Sequence, residues 1–265
     1  MFRKVRRAAA LYRQLYRASN SGQAVLIYQM GKVGSTSLYH YLQSIDLTYP
    51  LFRIHRFRLD NDDYVKRGFV RNSKYRYWAW LQYKVLRRCK LKVICMTRTP
   101  AERNLSDFFQ TISTFEKRRG FAFSQLSAEE LQKIFLEEYP HHSAAVWFDQ
   151  QVKDVFAIDV FNDKYDTCRN GSLLYRHDDT ELLVFRLEDR DRCIHDVAEF
   201  LDIPDFELPE GNKGSNKWYA QAYKQVKALP LPQNYHELIE STDYYRFFYG
   251  SERFNKSPEH SQKSN

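Results

Sequence analysis

The chain has 265 residues, 43% hydrophobic and 16% aromatic, with 41 Lys and Arg against 33 Asp and Glu, a formal net charge of +8. That supports one domain of the larger α/β kind and excludes a disordered chain. No apolar run approaches the ~18 residues of a spanning helix, and the first stretch lacks a secretory signal's apolar block. Cys89, Cys95, Cys168 and Cys193 have neither CxxC pairing nor His partners at zinc-ligand spacing, so the expectation is a soluble chain in a reducing cytoplasm, without a disulfide framework or structural metal.

Charge is uneven along the chain. The first 103 residues sum to +17 and the remainder to −9, which points to an anionic partner for the N-terminal half: a nucleotide, a sulfated or phosphorylated sugar, nucleic acid or a membrane surface.

In chain order, residues 1–20 carry six basic side chains and no acid. They read as an amphipathic helix with Leu11, Leu15, Tyr12 and Tyr16 near one face. It either docks on the domain as a solvated basic lead-in or lies on acidic lipid at the inner membrane surface. An apolar run, Ala24 to Tyr28, then enters the turn "QMGKVGSTSL". Here Gly31 and Gly34 let backbone N–H groups curl inward, Lys32 adds a point charge, and Ser35, Thr36 and Ser37 add hydroxyls at a helix start. Such a turn cradles an anion. It is not a Walker A loop, because Val33 follows Lys32 and the first glycine would have to be Leu26. The order resembles the 5′-phosphosulfate loop of the sulfotransferase family, in which Lys precedes a G/A-[ST]-[ST] run. That resemblance makes Gly31, Lys32, Val33, Gly34, Ser35, Thr36 and Ser37 binding residues for PAPS (3′-phosphoadenosine 5′-phosphosulfate).

A helix over Ser35 to Ser44, a strand over Leu51 to Ile54 ending at His55, a helix over Ser73 to Arg88 and a strand over Lys92 to Met96 follow. Pro100 then opens a helix in "MTRTPAERNLSDFF", with Arg98 at the strand end. This resembles the R-x-P-x-x-R-x-x-S-x-[FY] segment by which sulfotransferases hold the 3′-phosphate. Arg98, Pro100, Arg103, Ser106 and Phe108 match it, so Arg98 and Ser106 are implied as ligands. Ser127 and Glu130 form a capping box for a helix ending before Pro140. A further strand, "ELLVFRL" from Glu181, leads into a helix to Leu201. Its Arg186, Glu188, Asp189, Phe200, Leu201 and Pro204 match a family element read as structural, its acids capping a helix or pairing with basic residues. Lys213 and Ser215, in the segment with Gly211 and Gly214 as hinges, form either a lid over the adenosine or an ordinary loop. Residues 21–254 are expected to form the domain and 255–265 a disordered tail.

Strands alternating with helices predict a parallel sheet covered on both faces, with the turns after Tyr28, Ile54 and Met96 together at its carboxyl edge. The resemblance implies a three-layer, P-loop-like sulfotransferase fold. It also implies PAPS as donor, PAP (the desulfated nucleotide) as product, and no metal. The segment from Trp147 to Asp166 and the aromatic C-terminal stretch resemble a bacterial branch labelled as capsular polysaccharide synthesis proteins. This implies a carbohydrate hydroxyl as acceptor and no nucleic-acid partner.

Sulfuryl transfer needs a base and a positive charge on the oxygen that becomes phosphate. Lys32 suits the second role. For the base, His55 lies between Arg53 and Arg56, which favour its neutral form; acceptor binding and a structural role stay open for it. His40 is expected to be packed, and His141, His142 and His177 exposed. Glu102 and Asp107 are expected to have no catalytic part. Tyr75, Tyr77, Trp78 and Trp80 read as core rather than as a sugar-stacking face. Two rival readings are a nucleotide-dependent kinase, disfavoured without a Walker A loop, and a non-catalytic basic module for anionic lipid or nucleic acid.

Overall fold

The computed structural model describes residues 2–59, 73–120, 122–162, 171–208 and 217–250. Five strands form one sheet: β1 (Gln23–Tyr28), β2 (Leu51–Ile54), β3 (Lys90–Thr97), β4 (Ser172–His177) and β5 (Thr180–Arg186), in the order β2-β1-β3-β5-β4. Helices flank it: α1 (Phe2–Ser21), α2 (Ser35–Ser44), α3 (Ser73–Leu86), α4 (Pro100–Arg119), α5 (Ala128–Glu138), α6 (Arg190–Leu201), α7 (Ala220–Ala228), α8 (Gln233–Glu240) and α9 (Asp243–Tyr249). The expected helices and strands appear near the expected bounds. The Ser127/Glu130 capping box closes reciprocally, at 3.2 Å and 2.7 Å.

The sheet is mixed rather than all parallel. β1, β2, β3 and β5 run parallel, while β4 pairs antiparallel with β5. The two-residue link Asp178-Asp179, with Asp178 left-handed at φ 46°, makes β4 and β5 a tight hairpin. β4 was not expected, because its exposed residues leave too short an apolar run to read as a strand.

β1, β3 and β5 are buried along almost their full lengths, as central parallel strands must be. One hydrophobic cluster surrounds the sheet, and a second lies among α4, α5, α7 and α8, centred on Phe108, Phe109, Phe115 and Phe135. α1 is part of this body. It buries Leu15 and Ala18 and packs on β1 and α3.

Some burial expectations reverse. His40 is exposed, because α2 buries Leu38 and Leu42 and residue 40 falls on the opposite side. His141 is buried and its Nε2 donates to the Phe135 carbonyl at 2.9 Å, which also accepts from the Tyr139 N–H at the end of α5. Tyr77 and Trp80 are exposed and Tyr75 and Trp78 half-buried, because α3 turns Ala79 and Leu86 fully inward instead. The 255–265 tail lies outside the described residues.

Candidate functional site

Parallel pairing puts the carboxyl ends of β2, β1 and β3 side by side, and Gln29, one residue past β1, ties the three together. Its N–H donates to the Ile54 carbonyl at 3.2 Å, and its side-chain Oε1 accepts from the Met96 N–H at 3.3 Å. Its carbonyl lies 2.9 Å from His55 Nδ1. Because a carbonyl only accepts, Nδ1 carries the ring proton and Nε2 keeps its lone pair. Burial, then the neighbouring Arg56 and Arg53, hold the His55 pKa below its usual 6.5. The Trp147 indole fixes the His55 backbone by donating to its carbonyl at 3.0 Å.

After Gln29 the chain makes a nest. Lys32 and Gly34 are left-handed, at φ 73° and 81°. For Lys32 that conformation carries strain of about 1–2 kcal/mol, the kind stored at functional positions. At Gly34 the left-handed backbone favours glycine, and an added Cβ would press on the Leu187 side chain. Gly34 caps α2 without a side-chain hydrogen bond, leaving the positive end of that helix to the turn. Ser35 is buried, Ser37 half-buried and Thr36 exposed at this end; Gly31 and Val33 lie in the same turn.

Arg98, one residue past β3, reaches this turn. Its Nη1 donates to the Lys32 carbonyl at 3.3 Å, and its Nη2 pairs with Glu102 at 3.0 Å. Its Nε is buried with no hydrogen-bond partner, as is the neighbouring Thr99 hydroxyl. Lys32 Nζ donates to Gln110 Oε1 at 2.9 Å. Burial first, then Lys217 within hydrogen-bond reach and Arg98 nearby, push the Lys32 pKa down to about 8. Lys217 and Arg98 thus lie close to Lys32 beside the turn that opens α2, and the orphaned donors stand at the start of α4, which Thr99 caps; this grouping of positive charge favours a multiply charged anion.

The surrounding groups immobilise the turn. Arg103, fully buried, donates from Nε to the Gly31 carbonyl at 3.1 Å and from Nη1 to Tyr139 at 2.7 Å, and it faces Asp107 at 3.5 Å. Asp107 accepts from Tyr139 at 2.7 Å, and its charge acts on both Lys32 and His55. The Tyr244 hydroxyl accepts from the Arg98 N–H at 3.1 Å and donates to its carbonyl at 2.8 Å. Glu188 takes the Thr99 N–H at 3.0 Å. Asp189 pairs with Arg186 at 2.5 Å and with Arg192.

The structure therefore brings Lys32, Arg98 and the α2 N-terminus together, with His55 on the adjoining strand end. Ser106 is half-buried on α4, on the stripe it shares with Glu102 and Gln110 at four-residue spacing. Lys213 and Ser215 lie outside the described residues. Sequence reasoning missed Lys217, four residues beyond Lys213 in "NKGSNKW", and Gln29, whose signal was a polar residue closing an apolar strand. It also missed Gln110, one helical turn beyond Ser106.

Residues 125–250 match a family model. That family, NKWYS, is described as "Putative capsular polysaccharide synthesis protein". The match spans just under half the chain and contains Lys217, Glu188 and Tyr244, but not Lys32, His55 or Arg98. No curated protein and no solved structure matches the chain.

Proposed function

We propose that this chain is a PAPS-dependent sulfotransferase with a P-loop-like fold, moving a sulfuryl group to a hydroxyl of a carbohydrate. The grouping of Arg98 and Lys217 around Lys32, in the turn that opens α2, carries the reading. PAPS bears one phosphate at each end of its ribose, and the turn after β1 and the start of α4 offer cations from two separate strand ends. The unpartnered Arg98 Nε and Thr99 hydroxyl are donors that a phosphate would satisfy. The family description supports a polysaccharide acceptor.

In this reading His55 Nε2 takes the proton from the acceptor hydroxyl as its oxygen bonds to sulfur. The bond from sulfur to the bridging phosphate oxygen breaks, and PAP leaves carrying the new charge beside Lys32. Asp107 stands where it stabilises the imidazolium His55 becomes.

Titration calorimetry with PAP, alongside transfer of label from PAPS to a panel of polysaccharides, tests the proposal. Expected are tight PAP binding, its near loss in K32A and R98A, and loss of transfer but not of PAP binding in H55A. Binding of magnesium ATP with no affinity for PAP would overturn it.

A further inference from the structure

The face formed by α1 and α3 takes no part in the site above. Among the described residues seven large apolar side chains are exposed, and five of them (Val5, Tyr12, Tyr16, Tyr77 and Trp80) lie on these two helices. They form one patch. Val5, Tyr12 and Tyr16 follow a single line along α1 at seven- and four-residue spacing. The Tyr12 hydroxyl lies 3.2 Å from that of Tyr77, and the Tyr77 ring lies 6.2 Å from Trp80. Scattered exposed rings need no explanation, but a contiguous set confined to two packed helices does.

The charge around the patch has one sign. Arg13 and Arg17 on α1 and Arg76 and Lys84 on α3 are exposed, and neither residues 2–21 nor residues 73–90 contain an acid. We propose that this face docks the protein on the surface of a bilayer containing anionic lipid. Tyr and Trp rings place an apolar body in the headgroup region and keep a polar tip wet, while Arg and Lys are drawn to anionic headgroups. A soluble polyanion would engage the arginines and leave the rings in water; a lipid surface uses both. No described helix is long and apolar enough to cross a membrane, so the chain would lie on the surface.

Sedimentation with vesicles of phosphatidylcholine, with and without phosphatidylglycerol, tests this on the full chain. Binding is expected only where phosphatidylglycerol is present, weakening as salt rises. R13Q/R17Q should weaken it by roughly fivefold per charge, and Y16S/W80S by about tenfold. PAP affinity and thermal unfolding should stay as in the native chain. Independently, brominated phospholipid should quench tryptophan fluorescence of the native protein and lose much of that effect in W80F. Absence of sedimentation with phosphatidylglycerol vesicles overturns the proposal. So does binding that ignores Y16S/W80S and is competed away by polyphosphate, which would mark a soluble-polyanion site.

Discussion

The two halves of the molecule divide the work between charge and constraint. The first 103 residues, at net +17, present Lys32, His55 and Arg98 on loops at the sheet's edge, whereas the later residues, at net −9, hold those loops in place. The holding groups are the buried Tyr139, Gln151 and Tyr244 and the exposed carboxylate of Glu188. Gln151, in a π-helical turn, accepts from Tyr28 at 2.7 Å and from the Phe57 and Arg58 N–H groups. It thereby fixes the segment that leaves His55. Cations that repel one another stay close because directional hydrogen bonds with hydroxyls, amides and carboxylates fix their backbones.

Breaking the constraining half should cost most. Phe148 is buried against Trp147, Phe161, Tyr244 and Phe248, so F148A should lower unfolding stability by about 3–5 kcal/mol in denaturant titration. In the charged half, K32A should reduce transfer by roughly 10² to 10³ while leaving the fold intact. The depressed Lys32 pKa makes its charge a cost to the apo protein below pH 8, so K32M should unfold at a higher temperature than the native chain at neutral pH. That advantage fades as pH rises through the window from about 8 to 10.5, where the unfolded state binds the extra proton. A K32M protein less stable than native would contradict the crowding of positive charge.

Next, Y244F tests how the halves communicate. It strands the Arg98 N–H and carbonyl in a buried setting, costing about 1–3 kcal/mol, and should weaken PAP binding without touching a ligand. A smaller effect is expected on pH dependence. PAP affinity should fall as pH rises through about 8 while Lys32 loses its proton, and K32R, charged throughout, should flatten that limb. The acid limb of kcat/KM should lie below 6.5, where burial holds His55. Least of all, H195A removes an exposed ion pair with Asp205 at 2.8 Å and should leave the melting curve unmoved.

Much of the site was legible because its chemistry is local in sequence. Strand, glycine turn, Lys32 and the hydroxyls of α2 are contiguous, and Arg98 and Pro100 sit together at the next strand end. Helix bounds followed from capping at Ser127 and from Pro100, which act within one turn. What escaped notice depended on distance. Lys217 meets Lys32 across 185 residues, Tyr244 meets Arg98 across 146, and β4 is defined by pairing with β5 rather than by its own apolar content.

By itself, the sequence determined most of the helices and the central parallel strands, and where the glycine turn carrying Lys32 stands, because periodicity, capping and glycine conformation act over a few residues. Only the tertiary structure decided which side of each helix meets the core, as at His40, His141 and Trp80, and which distant hydroxyls lock the cationic loops. Burial and directional hydrogen bonding are settled by neighbours that the chain order does not reveal.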